Sequence, residues 1–555
     1  MTGPSDTDLE LTRRRLFAVA AGSLSIVGTN TEVDAAVSNA VTVLVNDLQP
    51  GPEISRYVFG SNEIGNMDGG TFCAPIDAAL GIPFRRLGGN RLSTYNWTSN
   101  NSNAGHDWLH TNDDFLTRSL GLSPEEAREP AAVIKAAYEA SRAMGARTLI
   151  TLPLLDYVAG DGRGPVPPQE AAPSRRFIPV RWSSAAKASD PVDDTICDIP
   201  HLLRRLTATY GKAEAGGIFA YALDNEPGLW SQNHPRLARQ PVTIADLISK
   251  SLEAARIIKS IDPTALVFGP VSWGATEMMT LQNTPDWPQF ADHGSFLAAY
   301  LSAFAEEAHR VGQRLLDVLD VHWYPYYGED SLLNCHDPAM AKALLDAPRS
   351  LSESGFREKS WVSRALPVNN TDNVALPILP SLHRLIERIF PGTKISVSEF
   401  NYGDAFFAPT ALALSDALGR LATSGVHFAC HWGALSGYRG DAYRLFLGDG
   451  GDFPAFGGRS LPVSVSKKAE ESVFAASNVE DRGSIELVII NKEKRPRTFD
   501  IRMSSNRMFK IHKNQALTLA TAGRKTDIQR IRNKSGSLHI HVEGQDAVRV
   551  RLELA

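Results

Sequence analysis

The sequence lacks most of the short motifs that would assign a function directly. Its 4 cysteines are scattered without CxxC spacing, so neither a zinc site nor a thioredoxin-like motif is indicated, and one or two disulfides remain open. No GxGxxG or GxxxxGK[ST] motif follows an early strand-like run, which removes the usual signatures of dinucleotide and nucleotide binding. We therefore expect that no cofactor is required.

An excess of charge of one sign is also lacking. The formal net charge is -5 and both signs are well represented, so no basic field attracts phosphates and we expect no nucleic-acid partner. Hydrophobic residues make up 43% and charged residues 21%, as in an ordinary globular protein.

At 555 residues the chain is too long for one compact core, and we expect a large domain and at least one smaller domain.

The chain also lacks an apolar run long enough to span a membrane near its N-terminus. Arg14 and Arg15 precede the apolar residues 16–27, and small residues follow. This order is typical of an export signal, and the paired arginines indicate the twin-arginine type. The apolar run is too short for a membrane span. We expect residues 1–36 to direct export to the periplasm or the cell exterior, with an ordinary N-terminal helix as the alternative.

Past this leader, short apolar runs alternate with longer helix-like stretches. Eight strand-like runs occur, at residues 57–61, 84–87, 148–153, 218–223, 265–269, 318–322, 395–399 and 427–431. Helix-like patterns between them include residues 124–144, 244–261, 296–316, 379–389 and 410–423. Eight β-then-α units predict an α/β fold, a closed (β/α)8 TIM barrel, over residues 57–458. The competing fold, a doubly wound open sheet, would require a phosphate-binding glycine loop, which is absent from the sequence.

After residue 458 the pattern changes to short strands without long helices. The strand-like runs are residues 472–477, 485–491, 498–502, 538–542 and 547–552. They predict a small all-β sandwich over residues 459–555. Residues 40–45 have the same character, so we expect the segment 37–56 to supply a strand that completes this sandwich. No long linker intervenes, and we expect two packed domains in a monomer.

Two glutamates fall where such a barrel places its active site. Glu226 follows the fourth predicted strand, and Glu399 ends the seventh. The carboxyl ends of the strands form the active site of a (β/α)8 barrel. The two carboxyl groups are therefore predicted to face one cavity. A surface salt bridge would explain one glutamate at a strand end more readily than two at matching ends.

A pair of carboxyl groups suits glycoside cleavage, in which one protonates the leaving oxygen and the other meets the developing oxocarbenium ion. We assign Glu226 as the acid/base and Glu399 as the nucleophile. Asn225 is placed to donate to the sugar 2-hydroxyl, a contact that strengthens in the transition state. Arg86, at the end of the second predicted strand, is expected to keep Glu399 ionised through its opposite charge.

Four blocks of sequence extend this interpretation. They are residues 86–105, 223–227, 320–325 and 398–403. In content and order they resemble glycoside hydrolase family 44, endoglucanases and xyloglucanases with a (β/α)8 barrel and an attached β-sandwich. The resemblance implies retention of anomeric configuration through a glycosyl-enzyme intermediate, with the acid/base and the nucleophile at Glu226 and Glu399. It also implies a β-glucan or xyloglucan substrate, and Asn90 joins the residues expected to bind it.

The chain departs from the family pattern in places. Thr98 stands where an acidic residue is expected, and Leu87 stands where a tryptophan is expected. The loops at residues 161–194 and 328–346 are not similar to the family. The resemblance is compatible with a structural calcium ion, but Thr98 leaves that ion without a ligand set to name.

Aromatic side chains are the expected platforms for sugar rings, which stack their apolar faces on flat groups. The candidates after strand ends are Trp97, Trp230, Trp323, Tyr324, Tyr402 and Trp432. Trp432 follows the eighth strand and is expected to form the floor beneath the sugar at the cleavage point. Packing in the core is the alternative for each of them.

Three further interpretations stay open. His322 is expected to orient a sugar or the nucleophile, whereas a metal-dependent hydrolase would use it with Asp320, although no HExxH or comparable ligand spacing is present. A retaining glycanase could instead act on another backbone, such as xylan or mannan. A polysaccharide-binding protein without catalysis would keep the same cleft.

Overall fold

A computed structural model describes residues 40–62, 73–466, 470–477, 483–519, 525–527, 530–532 and 537–554. The export signal predicted for residues 1–36 lies outside these ranges. Eight parallel strands close into a barrel: Gly60–Asn62, Phe84–Leu87, Arg147–Leu152, Ala220–Leu223, Leu266–Ser272, Val318–Trp323, Lys394–Phe400 and Phe428–His431. They are called barrel strands one to eight. Each strand pairs with its neighbours in chain order, and strand eight pairs with strand one.

One main helix follows each barrel strand. These helices are Cys73–Leu80, Ala132–Ala143, Ile199–Tyr210, Ile244–Ile261, Phe296–Val311, Ile378–Ile389, Pro409–Thr423 and Gly437–Leu447. Shorter helices lie in the connections at Phe115–Ser119, Trp230–Asn233, Ala275–Thr280, Trp287–Phe290, Ala341–Asp346, Arg349–Ser352 and Val362–Ala365. The predicted TIM barrel is therefore confirmed, because all eight predicted strand-like runs contain or overlap a barrel strand.

Local sequence explains several element boundaries. Barrel strand one begins at Gly60 rather than at residue 57, because Arg56–Val58 form a 3-10 turn in which the Ser55 side chain accepts a hydrogen bond from the Tyr57 amide. The helix Ile244–Ile261 begins in a similar way, with the Thr243 side chain accepting from the Asp246 amide. Such capping satisfies amide groups that the first turn of a helix leaves without partners.

The two ends of the barrel differ in chemistry. Five aromatic rings at Tyr57, Phe84, Phe219, Phe268 and Phe428 pack together at the amino end, with ring centroids 5.0 to 6.4 Å apart. This apolar plug fills the bottom of the barrel. The polar side chains of the barrel interior gather at the opposite, carboxyl end, which is where barrel enzymes place their active sites.

The all-β region consists of two sheets. The five-stranded sheet contains, in spatial order, Val463–Val465, Val41–Val45, Arg497–Met503, Leu538–Val542 and Arg530–Arg532. The seven-stranded sheet contains Glu53–Ile54, Gly458–Leu461, Glu471–Ser477, Ser484–Asn491, Asp546–Leu554, Phe509–Thr518 and Lys525–Asp527. Apolar residues of both sheets form one shared core, which is the arrangement of a β-sandwich. Val41–Val45 pairs parallel with Arg497–Met503, and its alternate residues are buried.

A buried ion pair joins the sandwich to the barrel. Lys492, just past a sandwich strand, lies 2.5 Å from the Asp416 carboxylate in the helix Pro409–Thr423, and Arg420 donates to the same carboxylate at 2.9 Å. The buried thiols of Cys197, Cys335 and Cys430 form no disulfide in the described part of the chain. Among the described helices, none is both long enough and apolar enough to cross a membrane.

Candidate active site

Glu226 and Glu399 lie at the carboxyl ends of strands four and seven. Glu226 comes three residues after Ala220–Leu223, in a left-handed backbone conformation with φ 45° and ψ 56°. Glu399 lies within Lys394–Phe400, beside an irregularity in the pairing of strands six and seven. Bulges and unusual backbone conformations of this kind re-aim side chains and are typical of functional sites.

The structure brings these two glutamates together around His322 of strand six. Oε1 of Glu226 lies 2.9 Å from Nδ1 of His322, and Oε2 of Glu399 lies 3.5 Å from the same nitrogen. One ligating atom from each of the three side chains lies within 4.8 Å of the other two. The two carboxyl groups therefore lie close together, as predicted, at the carboxyl end of the barrel.

Glu399 is held by two strong donors. Nη1 of Arg86 donates to its Oε1 at 2.7 Å, and the Tyr324 hydroxyl donates to its Oε2 at 2.7 Å. Arg86 is fully buried. Burial opposes the charged guanidinium, but the negative charges of Glu399 and Asp320 raise the Arg86 pKa above its ordinary value. The Glu399 carboxyl group thus lies against a permanently charged arginine, an arrangement that suits an oxygen nucleophile.

Glu226 has a different environment. Burial raises the pKa of its carboxyl group to about 7, with Arg86 opposing this shift and Asp107 adding to it. Burial also lowers the pKa of His322 to about 4, so the imidazole is neutral near pH 7 and adds no positive charge beside Glu226. A carboxylic acid with a pKa near neutrality can give a proton and later take one back.

Asparagines line the cavity next to this pair. Oδ1 of Asn225 accepts from Nη2 of Arg86 at 2.7 Å, and Nδ2 of Asn225 donates to Oδ1 of Asn90 at 3.3 Å. Asn90 in turn donates to Asp107 at 3.0 Å. Arg86 also donates to Asn62 at 2.9 Å, a partner that the sequence analysis did not identify. Arg86, Asn90 and Asn225 thus form a connected polar wall beside the two carboxyl groups.

Trp432 packs against Gly89, three residues after Arg86. A side chain at Gly89 would place its Cβ 2.6 Å from the Trp432 ring, and Gly89 has a φ of 91°. Both facts require glycine at this position. The Trp432 carbonyl accepts a hydrogen bond from Asn401 at 2.8 Å. The ring is half-buried, so part of it is free to contact a ligand.

Four aromatic residues predicted to bind substrate instead belong to the core. Trp97 is 1% exposed, Trp230 3%, Trp323 2% and Tyr402 0%, so none of them presents a face to a sugar ring. Trp97 packs edge-on against His201, and Nε1 of Trp323 donates to Ser350. The substrate-binding prediction for these four was wrong, because packing against neighbouring residues buries the side chains. Tyr324 does reach the site, as a hydrogen-bond donor to Glu399.

Other aromatic residues, which were not predicted from the sequence, lie around the barrel rim. Trp108 is 61% exposed and Phe406 is 75% exposed, on the connections that follow strands two and seven. Trp273 and Trp361 pack against each other with centroids 5.6 Å apart, and Tyr326 contacts Trp361. The available signal was their position after predicted strand ends, but exposure depends on how the loops fold.

The two glutamates and His322 form the one group of His, Cys, Asp and Glu side chains, among the residues described, that is compact enough to hold a metal ion. The Arg86 guanidinium contacts the same carboxylate at 2.7 Å, and its positive charge would repel a metal cation there. The hypothesis of a metal-dependent hydrolase pairs Asp320 with His322. In the structure Asp320 instead accepts a hydrogen bond from the Ser398 amide. The group therefore suits proton and glycosyl transfer better than metal binding.

The environment of Thr98 bears on the expected calcium ion. The Thr98 amide and hydroxyl both donate to Oδ1 of Asn96, at 3.0 and 2.9 Å. In this turn the Thr98 hydroxyl already has a hydrogen-bond partner in the Asn96 side chain. Within the ranges that the structure describes, no second cluster of three acidic, histidine or cysteine side chains offers calcium a ligand set.

Comparison with known proteins identifies the family of the chain. The sequence model of glycoside hydrolase family 44 matches residues 101–327. The chain is 35% identical over 474 residues to a protein named beta-mannanase/endoglucanase A from Caldicellulosiruptor saccharolyticus, an alignment that covers 82% of this chain and 34% of that protein. This chain thus spans about a third of the length of that relative.

Two further relatives are matched over most of their length. Endoglucanase A of Paenibacillus lautus is 34% identical over 493 residues, which cover 86% of this chain and 68% of the relative. The structure of a Paenibacillus polymyxa xyloglucanase of family 44 with xyloglucan superposes with a TM-score of 0.83 at 30% identity, over 93% of this chain and 100% of that one. The protein is a glycoside hydrolase, and the chain belongs to glycoside hydrolase family 44.

Proposed function

We propose that this enzyme is a retaining endo-β-1,4-glucanase that accepts xyloglucan. The observation that carries the proposal is the pair of carboxyl groups at strands four and seven. Glu226 has a pKa raised to about 7, whereas Glu399 is paired with Arg86 at 2.7 Å. These opposite environments supply the acid and the nucleophile that double displacement requires.

The spacing of the two carboxyl groups supports retention. Oxygen atoms of Glu226 and Glu399 approach within 4.8 Å of each other. Retaining enzymes place their carboxyl groups about 5–5.5 Å apart, whereas inverting enzymes separate them by roughly 6.5–9.5 Å to admit a water molecule. The short spacing leaves Glu399 to attack the anomeric carbon directly.

The reaction follows from these positions. In the first step Glu399 attacks the anomeric carbon while Glu226 gives its proton to the glycosidic oxygen, and the leaving saccharide departs. In the second step Glu226 takes a proton from water, whose oxygen displaces Glu399 and restores the starting configuration. Asn225, oriented by Arg86 at 2.7 Å, is assigned to the sugar 2-hydroxyl. Trp432 is assigned as the floor beneath the sugar ring.

The choice of substrate rests on the relatives. Their names specify an endoglucanase, a xyloglucanase and a beta-mannanase/endoglucanase, so a β-1,4-linked glucan backbone is the common assignment. Exposed and half-buried aromatic side chains at the rim, including Trp108 and Trp432, are suited to stacking on several sugar rings of a polymer.

A digestion panel tests this proposal. Xyloglucan, carboxymethylcellulose, xylan and mannan are incubated with the protein, and product sizes are followed over time. We expect rapid loss of polymer length on the glucans, with oligosaccharides rather than glucose as early products. Faster cleavage of xylan or mannan would replace the assigned backbone. Binding of glucans without any cleavage would make the protein a polysaccharide-binding protein instead.

We also infer that residues 1–36 export the enzyme by the twin-arginine route, which would place it where polysaccharides are found. Arg14 and Arg15 followed by an apolar run support this inference. Replacement of both residues by lysine is expected to keep the enzyme inside a bacterial host that has the pathway. Unchanged secretion of that variant would contradict the inference.

A further inference from the structure

Glu277 is a carboxyl group with no exposure to solvent, located behind the strand-four loop (residues 224–229). It belongs to the helix Ala275–Thr280, directly after barrel strand five. The Trp273 amide donates to its Oε2 at 3.3 Å. Its Oε1 has no hydrogen-bond partner among the described residues. The mechanism proposed above gives this buried acid no role.

Glu277 touches the strand-four loop directly. A Cβ added to Gly228 would lie 2.9 Å from Oε2 of Glu277 and 3.0 Å from its carboxyl carbon. The Gly228 amide is also close enough to this carboxyl group to lower its pKa. Gly228 is only two residues beyond Glu226, so the buried acid contacts the short segment that carries the proposed acid/base.

The backbone conformation of the strand-four loop requires stabilising contacts from residues outside the loop. Asp224 and Glu226 both have positive φ, at 68° and 45°, a conformation that costs free energy for residues other than glycine. The Glu226 amide donates to the Val271 carbonyl at 3.0 Å, which ties the loop to strand five. Glu277 adds a second contact on the same side, because its carboxyl group accepts from the Trp273 amide and packs against Gly228.

Burial raises the pKa of the Glu277 carboxyl group well above its ordinary value, and the nearby Glu226 raises it further. The Trp273 and Gly228 amides and the Ser272 side chain partly oppose this shift. A carboxyl group with a raised pKa takes up a proton more readily, and in that form it accepts backbone hydrogen bonds without placing a negative charge beside Glu226.

We propose that Glu277 is a positioning residue whose carboxyl group fixes the strand-four loop so that the Glu226 carboxyl faces the glycosidic oxygen. This inference rests on the proposed acid/base function of Glu226. It predicts that loss of Glu277 impairs the two proton transfers and spares the attack by Glu399.

Two variants and two substrates test the proposal. Glu277→Leu keeps the volume but removes the acceptor, whereas Glu277→Gln keeps a neutral acceptor. On cello-oligosaccharides we expect kcat of Glu277→Leu to fall roughly 10- to 100-fold with little change in KM, because small displacements of a catalytic group are costly. Glu277→Gln should stay within about threefold of the wild type, since its amide oxygen accepts the same hydrogen bonds.

The second substrate is 2,4-dinitrophenyl β-cellobioside, whose leaving group needs no protonation. For Glu277→Leu we expect a dinitrophenol burst at the wild-type rate, then slow turnover that azide restores, because azide attacks without a general base. A general disturbance of the site would slow the burst as well. A slowed burst in Glu277→Leu would overturn the proposal. A kcat of Glu277→Leu equal to that of the wild type would also overturn it, as would a kcat of Glu277→Gln as low as that of Glu277→Leu.

Two controls keep the test decisive. If Glu277→Leu does not fold, Gly228→Ala replaces it, because the added methyl group presses on the Glu277 carboxyl and is expected to give the same kinetic pattern. The activity of the wild type distinguishes failure of the proposed function from failure of the role assigned to Glu277. A wild type without hydrolysis of any glycan would overturn the proposed function and this inference with it, whereas an active wild type with an unimpaired variant would overturn the role of Glu277 alone.

Discussion

The ends of strands four and seven present the same side chain in opposite surroundings. At strand seven, Glu399 accepts hydrogen bonds from Arg86 and Tyr324, both at 2.7 Å. At strand four, Glu226 contacts His322, and burial raises its pKa to about 7. Residue type therefore does not distinguish the proposed acid from the proposed nucleophile. The distinction comes from the neighbours, and each neighbour can be removed to test it.

Removal of the strand-seven carboxylate should have the largest effect. Glu399→Gln is expected to lower kcat by about 10⁴-fold or more, because no other group can form the glycosyl-enzyme intermediate. The fold, followed by circular dichroism, should be unchanged. Glu399→Gly with azide should yield a glycosyl azide of inverted configuration. Full activity in the Gln variant would contradict the assignment.

Removal of the strand-four carboxyl should have a smaller effect that depends on the leaving group. Glu226→Gln is expected to lower kcat on cello-oligosaccharides roughly 10²- to 10⁴-fold, the usual contribution of general acid–base catalysis. The first step on a 2,4-dinitrophenyl glycoside should be nearly unaffected, and azide should give a product of retained configuration. Equal loss on both substrates would remove the acid/base role.

Arg86 is the side chain that most directly makes the surroundings of Glu399 differ from those of Glu226. Arg86→Lys is expected to lower kcat/KM roughly 10- to 150-fold, since hydrogen bonds to charged groups contribute about 1.5–3 kcal/mol and lysine cannot reach three partners. Arg85→Lys is the matched control, because Arg85 pairs with Asp77 away from the site. An equal loss of kcat/KM in both variants would contradict a specific role for Arg86.

The pH profile of the wild type tests the difference between the two glutamates without a substitution. Glu226 must be protonated in the free enzyme to act as the acid, and its pKa is about 7. We therefore expect kcat/KM to fall about tenfold per pH unit above roughly pH 7. In Glu226→Gln this alkaline limb should disappear. An alkaline limb that persists in the variant would assign it to another group.

The smallest expected effect comes from Tyr324. Tyr324→Phe removes one neutral donor from Glu399 and should lower kcat/KM roughly 10-fold, the lower end of the range of about 1.5–3 kcal/mol for a hydrogen bond to a charged group. Tyr327→Phe on the neighbouring exposed position is the control and should have no effect. A loss as large as that of Arg86→Lys would show that the two donors do not differ in importance.

The barrel and its carboxyl pair could be predicted because their signals are local. Buried parallel strands read as short apolar runs, and a charged residue at the end of such a run stands out, as Glu399 does. The exposure of Trp97 and Trp323 could not be predicted, because loops distant in sequence decide which aromatic faces are covered. Glu277 was missed for the same reason, since its partner Gly228 lies in a different β/α unit and no local pattern connects them.

The central claim is the division of roles between Glu226 and Glu399. The most direct measurement is mass spectrometry of the enzyme after reaction with 2,4-dinitrophenyl 2-deoxy-2-fluoro-β-cellobioside, which traps the glycosyl-enzyme intermediate of a retaining enzyme. We predict one fluorocellobiosyl group per chain, on the peptide that contains Glu399. A stable label on Glu226, or activity that continues with no labelled enzyme, would contradict the account.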